Sequence, residues 1–280
     1  MNKEILIICR GGGDLATGIV HRLFRAGYQV LILETAEPAA IRRQVSFCEA
    51  VYEGTATVEG VTAERIYTAK KQAVEEVLQR GRIPLLVDPD GRSIEVLKPD
   101  VVVDAIIAKK NLGTYKEMAP LVIGIGPGFV AGEDVHLVVE SMRGHNLARI
   151  LETGSALANT GIPGNIGGYT KERVIHAAAE GYMKNLHQIG DVVRKGEKIA
   201  RIYEQMSPEG VFSGRFVSVE ATIPGVLRGL IREGYHFQKG FKIADIDPRE
   251  SELANCFTIS DKASSIGGSV LEAVCRYVNG

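Results

Sequence analysis

The sequence lacks several features that mark secreted, membrane-spanning or nucleic-acid-binding proteins. Its four cysteines, at positions 9, 48, 256 and 275, form no Cys-x-x-Cys pair, which argues against a disulfide framework and a cysteine-rich zinc site. No block of lysine or arginine is longer than two residues, and the formal net charge is −1. We therefore expect no nucleic-acid partner, because nothing sequence-wide attracts a phosphate backbone.

Long apolar runs are also absent. No stretch of about twenty uncharged apolar residues occurs, so we expect no membrane span and no membrane partner. The apolar stretch near the amino terminus covers about five residues, which is too short for the core of a signal peptide. The sequence therefore predicts a cytoplasmic protein.

The first half of the chain alternates short apolar runs with helical stretches. Strands are predicted at residues 5–8, 30–33, 85–87, 101–107 and 121–125, and helices at residues 15–26 and 70–80. Strands that are apolar on both faces and alternate with helices indicate a parallel sheet covered by helices. We therefore predict an α/β, Rossmann-like parallel-sheet domain over residues 1–150, with a boundary as early as residue 120.

The second half contains an internal repeat. Residues 174–202 align without a gap on residues 218–246 at a constant offset of 44, with ten of the 29 positions identical. Such a period indicates two copies of one supersecondary unit. Its glycine spacing resembles the halves of a lipoyl or biotinyl domain and predicts a β-rich barrel-sandwich hybrid domain over residues 165–250. No biotin or lipoyl attachment is expected, because the connection 203–218 contains no lysine. Residues 251–280 are predicted to form a C-terminal helical segment.

A glycine-rich turn follows the first predicted strand. Gly11, Gly13 and Ala16 match the pattern G-x-G-x-x-A at the junction of strand and helix. In a dinucleotide-binding turn, the first glycine allows a tight turn, the second lets backbone approach a diphosphate, and the small third residue permits close packing. Glu34, at the end of the second strand, is placed to accept hydrogen bonds from a ribose.

Asp14 argues against a phosphate at this turn. Its carboxylate falls in the first turn of the helix and competes with a phosphate for the helix N-terminus. Two interpretations therefore stay open. Either the turn, with Asp14 beside it, holds a nucleotide-like cofactor, or Asp14 caps the helix and the glycines serve packing.

A second group of polar residues lies at positions 131–149. If residues 134–140 form a strand, Asp134, His136 and Glu140 share one face. Arg143 and His145 follow after a turn, so the stretch is a candidate to bind a metal ion or an oxyanion. We expect Asp134, His136 and Arg143 to face an interdomain cleft; the alternative is the polar face of an edge strand.

Two further residues are candidates for catalysis. Cys256 is a candidate nucleophile or chalcogen acceptor, with a buried structural cysteine as the alternative. Lys262, beside Asp261, is the second candidate. No Tyr-x-x-x-Lys pair on a predicted helix, the pattern of a hydride-transfer site, follows the glycine-rich turn.

Several segments in order resemble the YqeB family. They are RGGGDLATG, GIGPGFVAGEDVHLVVESMRGHNLAR, NTGIPG, PGVLRGL and FTISDKASSIGGSVLEA. That family is associated with selenium-dependent molybdenum hydroxylases, and the opening segment is also similar to the Rossmann segment of XdhC-type xanthine dehydrogenase accessory proteins. The resemblance implies an accessory, maturation role, with a molybdenum hydroxylase or its maturation proteins as partners and a molybdopterin-type cofactor as ligand.

Three functions follow as expectations. The first is an accessory protein that binds a molybdopterin- or nucleotide-like ligand in an interdomain cleft. The second is an NAD(P)-dependent oxidoreductase, for which NAD(P) would be the cofactor. The third is a non-catalytic scaffold that docks a hydroxylase.

Overall fold

The computed structural model describes residues 5–158, 164 and 166–280 in two compact units. Unit 1 comprises Met1–Pro38, Val45–Thr160 and Ile259–Gly280, and unit 2 comprises Ala39–Gln44 and Gly161–Thr258. The chain therefore passes between the units four times. Within the described residues, no helix is long and apolar enough to cross a membrane.

Unit 1 is built on one nine-stranded sheet. Its strands are β1 (Leu6–Arg10), β2 (Gln29–Glu34), β3 (Thr55–Val58), β4 (Val61–Ile66), β5 (Ile83–Val87), β6 (Val101–Asp104), β7 (Leu121–Ile125), β8 (Leu137–Val139) and β9 (Ile150–Leu151). They follow the order β3-β4-β5-β2-β1-β6-β7-β8-β9. The seven strands from β4 to β8 in this order are parallel, and the two outermost pairs, β3–β4 and β8–β9, are antiparallel.

The described residues of unit 1 form five α-helices. They are α1 (Asp14–Arg25), α2 (Ala50–Glu53), α3 (Lys71–Gln79), α4 (Ser93–Leu97) and α5 (Asp261–Asn279). Ile7 and Cys9 of β1 pack with α1 and α5 on one face of the sheet, and Ile8 packs with α3 and α4 on the other. The alternation of the two faces along β1 follows from the two-residue period of a strand.

Helices α1 and α5 approach each other at two glycines. A Cβ on Gly18 would lie 2.7 Å from Cβ of Ala263, and a Cβ on Gly267 would lie 2.7 Å from the Gly18 carbonyl oxygen. The Arg22 guanidinium also donates to the Ser264 hydroxyl at 2.5 Å. The missing side chains allow backbone to contact backbone, so that the amino ends of the two helices lie side by side.

Unit 2 contains two four-stranded antiparallel sheets. Its strands are β10 (Val174–His176), β11 (Gly181–Asn185), β12 (Val192–Val193), β13 (Lys198–Met206), β14 (Phe212–Glu220), β15 (Gly225–Leu230), β16 (His236–Phe237) and β17 (Lys242–Asp247). The sheet orders are β10-β17-β15-β12 and β14-β13-β11-β16. Each sheet has strands from both copies of the repeat, and strands 44 residues apart occupy equivalent places.

Residues 39–44 complete unit 2 from a distant part of the sequence. The Leu230 N–H donates to the Ile41 carbonyl at 2.7 Å, and the Arg43 guanidinium donates to the Leu230 carbonyl at 2.8 Å. Arg42 is buried and donates to the carbonyls of Asn255 and Thr258 at 2.9 and 3.1 Å. This short segment is therefore held by main-chain carbonyls of unit 2.

The predicted fold class, a Rossmann-like parallel-sheet domain with a barrel-sandwich hybrid domain, requires correction. The sheet of unit 1 is mixed rather than all-parallel, because it includes an antiparallel β3–β4 hairpin that the sequence did not indicate and that turns at Glu59 and Gly60 with positive φ. At the other end of the sheet, β8 and β9 follow residue 134 and extend it. Period-two alternation does not distinguish an edge strand of one sheet from the start of another.

Candidate functional site

The glycine-rich turn after β1 is closed largely by the protein's own groups. The Gly11 N–H donates to a β2 carbonyl and the Gly12 N–H donates to the Glu34 carboxylate, each at 2.8 Å. Gly11 has a φ of +99°, and a Cβ there would lie 2.9 Å from the Ala105 carbonyl oxygen, so the position requires glycine. Only Gly13 is open, since a Cβ there would meet no atom within 4 Å. Binding of a nucleotide-like cofactor at Gly11, Gly13 and Asp14 stays a prediction.

Glu34 is the carboxylate that closes this turn. Its Oε2 accepts from Gly12 N–H at 2.8 Å and its Oε1 from Thr35 N–H at 2.7 Å. Burial raises the pKa of Glu34, and the two N–H donors oppose that rise. Both oxygens are thus engaged within unit 1, and ribose binding by Glu34 stays a prediction.

The raised pKa of Glu34 predicts a pH dependence of stability. An acid whose pKa is higher in the folded state stabilises the fold below its ordinary pKa, and this contribution is lost as the pH rises through the raised pKa. We expect the free energy of unfolding of the wild type, relative to Glu34→Gln, to fall across this range. Urea unfolding over a pH series measures it, with the exposed Glu95→Gln as control. A relative stability that rises with pH would contradict the expectation.

Lys262 lies where three segments of unit 1 converge, which are the start of α1, the loop after β8 and the start of α5. Its side chain is partly buried, and within the part of the chain that the structure describes its Nζ has no hydrogen bond or ion pair. Burial lowers the pKa of Lys262, as does the charge of Arg143. The carboxylates of Asp14, Glu140 and Asp261 act in the opposite direction. The ammonium is therefore close to several charges and directly paired with none of the described residues.

The neighbours of Lys262 are held in place by hydrogen bonds. Arg143 makes a bidentate pair with Asp261, at 2.7 and 2.8 Å, which raises the pKa of Arg143. Glu140 is 3% exposed and accepts from the N–H groups of Met142 and Leu157 at 2.6 and 2.8 Å. Glu140 thus anchors the loop after β8, and Asp261 fixes the Arg143 guanidinium at the start of α5.

Two helix N-termini also face this region. Gly13 is the N-cap of α1 and offers no side chain, whereas Ser260 caps α5 by accepting from Ala263 N–H at 3.2 Å. The positive ends of both helix dipoles therefore lie near Lys262, and such ends favour anions. Asp14 and Glu140 follow the carboxyl ends of the parallel strands β1 and β8, the edge at which open α/β sheets bind ligands.

The other members of the second predicted group have structural contacts. Only Leu137–Val139 is a strand, so Asp134, His136 and Glu140 do not share one strand face as predicted. Asp134 accepts from Val130 N–H at 2.8 Å, and His136 Nδ1 accepts from Val122 N–H at 3.0 Å. Burial lowers the pKa of His136, which keeps the ring neutral and able to accept. His145 is exposed in the loop.

Cys256 and Ala16 are both packing residues in the structure. Cys256 is fully buried in the core of unit 2, and burial raises the pKa of its thiol. A neutral buried thiol packs as a small hydrophobe. Ala16 is 1% exposed in the core of unit 1. Cys256 and Lys262 lie in different units, and a catalytic role for either stays a prediction.

A buried ionic network, which the sequence did not indicate, lies at the carboxyl ends of β1 and β6. Arg10 and Asp104 are each 2% exposed and lie 3.6 Å apart, and Thr114 lies between them. The Arg10 guanidinium donates to the Thr114 hydroxyl, which donates to Asp104 Oδ2 at 2.5 Å. Arg10 also donates to the Pro89 carbonyl at 3.1 Å. The only sequence signal was the polar residue ending each apolar strand.

The structure shows no metal centre among the residues it describes. No group of three or more histidine, cysteine, aspartate or glutamate side chains there has a geometry that could hold a metal ion. The metal-binding interpretation of residues 134–145 therefore has no support in the described part of the chain.

One curated relative is similar to almost the whole chain. It is the uncharacterized protein YqeB of Escherichia coli (strain K12), which is 46% identical over 274 residues, covering 98% of this chain and 48% of that protein. The chain thus spans about half the length of the relative, and the similarity supports the resemblance to YqeB. It does not support the similarity to XdhC-type proteins. No protein-family model matches the chain.

Three solved structures illustrate the structural comparisons. The product-bound ectoine utilization protein EutE (DoeB) of Ruegeria pomeroyi has a TM-score of 0.28 at 10% identity, covering 87% of this chain and 85% of that one. An aspartoacylase family protein of Mesorhizobium loti has a TM-score of 0.29 at 10% identity. A succinylglutamate desuccinylase of Silicibacter sp. TM1040 has a TM-score of 0.26 at 12% identity. Each of the latter two covers 88% of this chain and 85% of its own.

These comparisons contradict the predicted function and fold class. These proteins are named as an ectoine utilization protein, an aspartoacylase family protein and succinylglutamate desuccinylases, and none is named as an accessory protein of a molybdenum hydroxylase, so the maturation role and its molybdopterin ligand are not carried forward. The oxidoreductase and scaffold alternatives are withdrawn with them. At TM-scores below 0.3 the likeness transfers no hydrolase activity to this chain.

Proposed function

We propose that unit 1 binds a small anionic molecule, through a phosphate or carboxylate group, at the start of α1 and α5. The observation that carries this proposal is the partly buried Lys262 ammonium, which makes no direct pair with any other described residue. A partly desolvated charge without a counterion is unfavourable, and an anionic ligand would supply the counterion. Lys262 would contact the anion directly.

The neighbouring groups support an anion of limited size. Gly13 leaves the start of α1 open, and both helix dipoles add positive potential beside Lys262. Arg143 contributes a second positive charge, although its guanidinium is already paired with Asp261. Asp14 and Glu140 oppose excess negative charge. The balance favours one anionic group rather than a polyphosphate, since each further charge would meet these carboxylates.

Replacing Lys262 by glutamine is expected to weaken anion binding at least about tenfold, because a hydrogen bond to a charged group contributes roughly 1.5–3 kcal/mol. Isothermal titration with inorganic phosphate, acetate and succinate measures the effect. Lys71→Gln is the control, since its side chain is 84% exposed and lies on α3. Lys262→Arg should retain most of the affinity.

Two results would overturn the proposal. One is that the wild type binds none of the three anions, and the other is that Lys262→Gln binds them as tightly as Lys71→Gln does. The pH dependence is a further check. Because the pKa of Lys262 is lowered, affinity should decline at a lower pH than an ordinary lysine would give, and Lys262→Arg should remove that decline.

A further inference from the structure

Strand β14 is a long, exposed edge of the second sheet of unit 2. It has nine residues, stands at the end of the order β14-β13-β11-β16, and pairs only with β13 among the described strands. Phe216 and Val217 are 46% and 42% exposed. An exposed edge strand with large apolar side chains is a template for pairing with another chain.

The outer face beside this edge carries a row of aromatic rings. Register places Phe216 of β14 opposite Tyr203 of β13, Tyr203 opposite Tyr182 of β11, and Tyr182 opposite His236 of β16. Ring centroids of Tyr203 and Phe216 lie 5.2 Å apart, and those of Tyr182 and His236 lie 4.7 Å apart. The row thus runs across the sheet and ends at the open edge.

The equivalent face of the other sheet is covered by the chain itself. Asp245 and Asp247 stand 44 residues after Arg201 and Tyr203, and they are 4% and 2% exposed. Their charges act on Cys256, which lies in the segment after β17 and faces that sheet. The face of the β10-β17-β15-β12 sheet is therefore covered by the chain itself. The equivalent face of the other sheet is not covered by any described residue at the β14 edge.

Three charges at this edge have no oppositely charged partner among the described residues. The Arg201 guanidinium lies 4.6 Å above the Phe216 ring, with the Tyr203 hydroxyl at 3.5 Å but no carboxylate. Glu220, at the end of β14, is exposed and makes no ion pair there. Lys198, the register neighbour of Glu220 on β13, is exposed and also makes no ion pair there. Other charges of this sheet are paired: Lys184 with Glu233 and Arg215 with Glu204, while the His236 ring lies 3.5 Å from Glu180. Because paired charges leave little net positive potential, this face is not suited to binding a polyanion.

We infer that β14 pairs antiparallel with β14 of a second copy of this chain. A two-fold axis normal to the sheet requires opposed residues to lie on the same face, so the pairing centres on one residue. Centring it on Ser218 opposes Phe216 of each copy to Glu220 of the other. Each Glu220 carboxylate then lies beside the Arg201 guanidinium stacked on that ring. The dimer thus forms two contacts between Arg201 of one copy and Glu220 of the other, and it buries both Phe216 rings.

Sedimentation velocity over a concentration series tests this dimer. The wild type is expected to sediment as a dimer at high concentration, and Phe216→Glu should raise the dimer dissociation constant at least about tenfold, because it opposes like charges and removes apolar contact. Tyr67→Glu is the matched control, since Tyr67 is 80% exposed but lies in unit 1. Arg201→Glu should also weaken the dimer, and the double variant Arg201→Glu, Glu220→Arg should restore it.

Hydrogen exchange of the wild type provides a measurement that does not depend on variant folding. Main-chain amides of residues 212–220 are expected to exchange more slowly as protein concentration rises. A wild type that stays monomeric at all concentrations overturns the inference. So does a dimer whose formation leaves exchange in β14 unchanged, or one that Phe216→Glu and Arg201→Glu weaken no more than Tyr67→Glu does. Anion binding by unit 1 is not needed for any of these results.

Discussion

Replacing Asp104 by alanine is expected to lower the free energy of unfolding by about 3–5 kcal/mol, because it leaves a buried charge without its partner. Arg10 is 2% exposed, and its guanidinium would lose both the Asp104 carboxylate and the acceptor that orients Thr114. Burial raises the pKa of Asp104, whereas the hydrogen bond from Thr114 and the charge of Arg10 lower it. Urea unfolding of the two proteins measures the difference.

A double variant distinguishes an unpaired charge from simple loss of packing. Arg10→Met with Asp104→Leu removes both charges and keeps apolar volume, so it is expected to be more stable than Asp104→Ala alone. Its remaining loss reflects the buried Thr114 hydroxyl, which would lose both its donor and its acceptor, and the Pro89 carbonyl, which would lose a donor. If the double variant were the less stable of the two, the buried pair itself would be a net source of stability.

Replacing Gly267 by valine is expected to lower the free energy of unfolding by about 3 kcal/mol, the upper part of the range for overpacking. A Cβ at Gly267 would lie 2.7 Å from the Gly18 carbonyl oxygen and 3.3 Å from Cα of Ile19. Both contacts are with backbone, so no side-chain rotation relieves them. The two helices would have to separate and expose the apolar face between them.

The adjacent residue supplies the control for this prediction. A Cβ at Gly268 would meet only the Arg22 guanidinium, at 3.9 Å, and that group is the end of a flexible side chain. Gly268→Val is therefore expected to change stability by less than about 0.5 kcal/mol. Thermal unfolding of both variants measures the contrast. Equal destabilisation would contradict the role of the crossing, because valine has a higher helix propensity than glycine at both positions.

Local sequence patterns predicted several strands, but not which strands form each sheet or where each sheet ends. The apolar runs before Gly11 and Glu34 are β1 and β2, because continuous β-branched and leucine residues are typical of strands buried on both faces. The β3–β4 hairpin escaped because its strands are short and partly exposed. The offset of 44 showed two equivalent halves, but sequence does not show that each sheet takes strands from both.

The sequence singled out several candidate residues, but it did not indicate which of them lie close together. Glu140, Arg143 and Lys262 were all singled out, although no local pattern indicated that a loop after β8 and the start of α5 meet. That contact depends on the crossing at Gly18 and Gly267, where two bare backbone surfaces fit together. Asp134 and His136 are also polar residues of the kind found in ligand sites, yet each accepts a hydrogen bond from a main-chain N–H group.

Unit 1 is assembled from three separate segments of the chain, so its parts are synthesised at different times. Its central strand β1 precedes by about 250 residues the helix α5 (Asp261–Asn279), which covers that strand together with α1. Domains generally fold as units while the chain emerges from the ribosome. The apolar flank of α1 must therefore wait until unit 2 has been translated before α5 can cover it. During that interval the nascent chain leaves this apolar surface uncovered, and slowing translation between residues 45 and 258 would prolong its exposure.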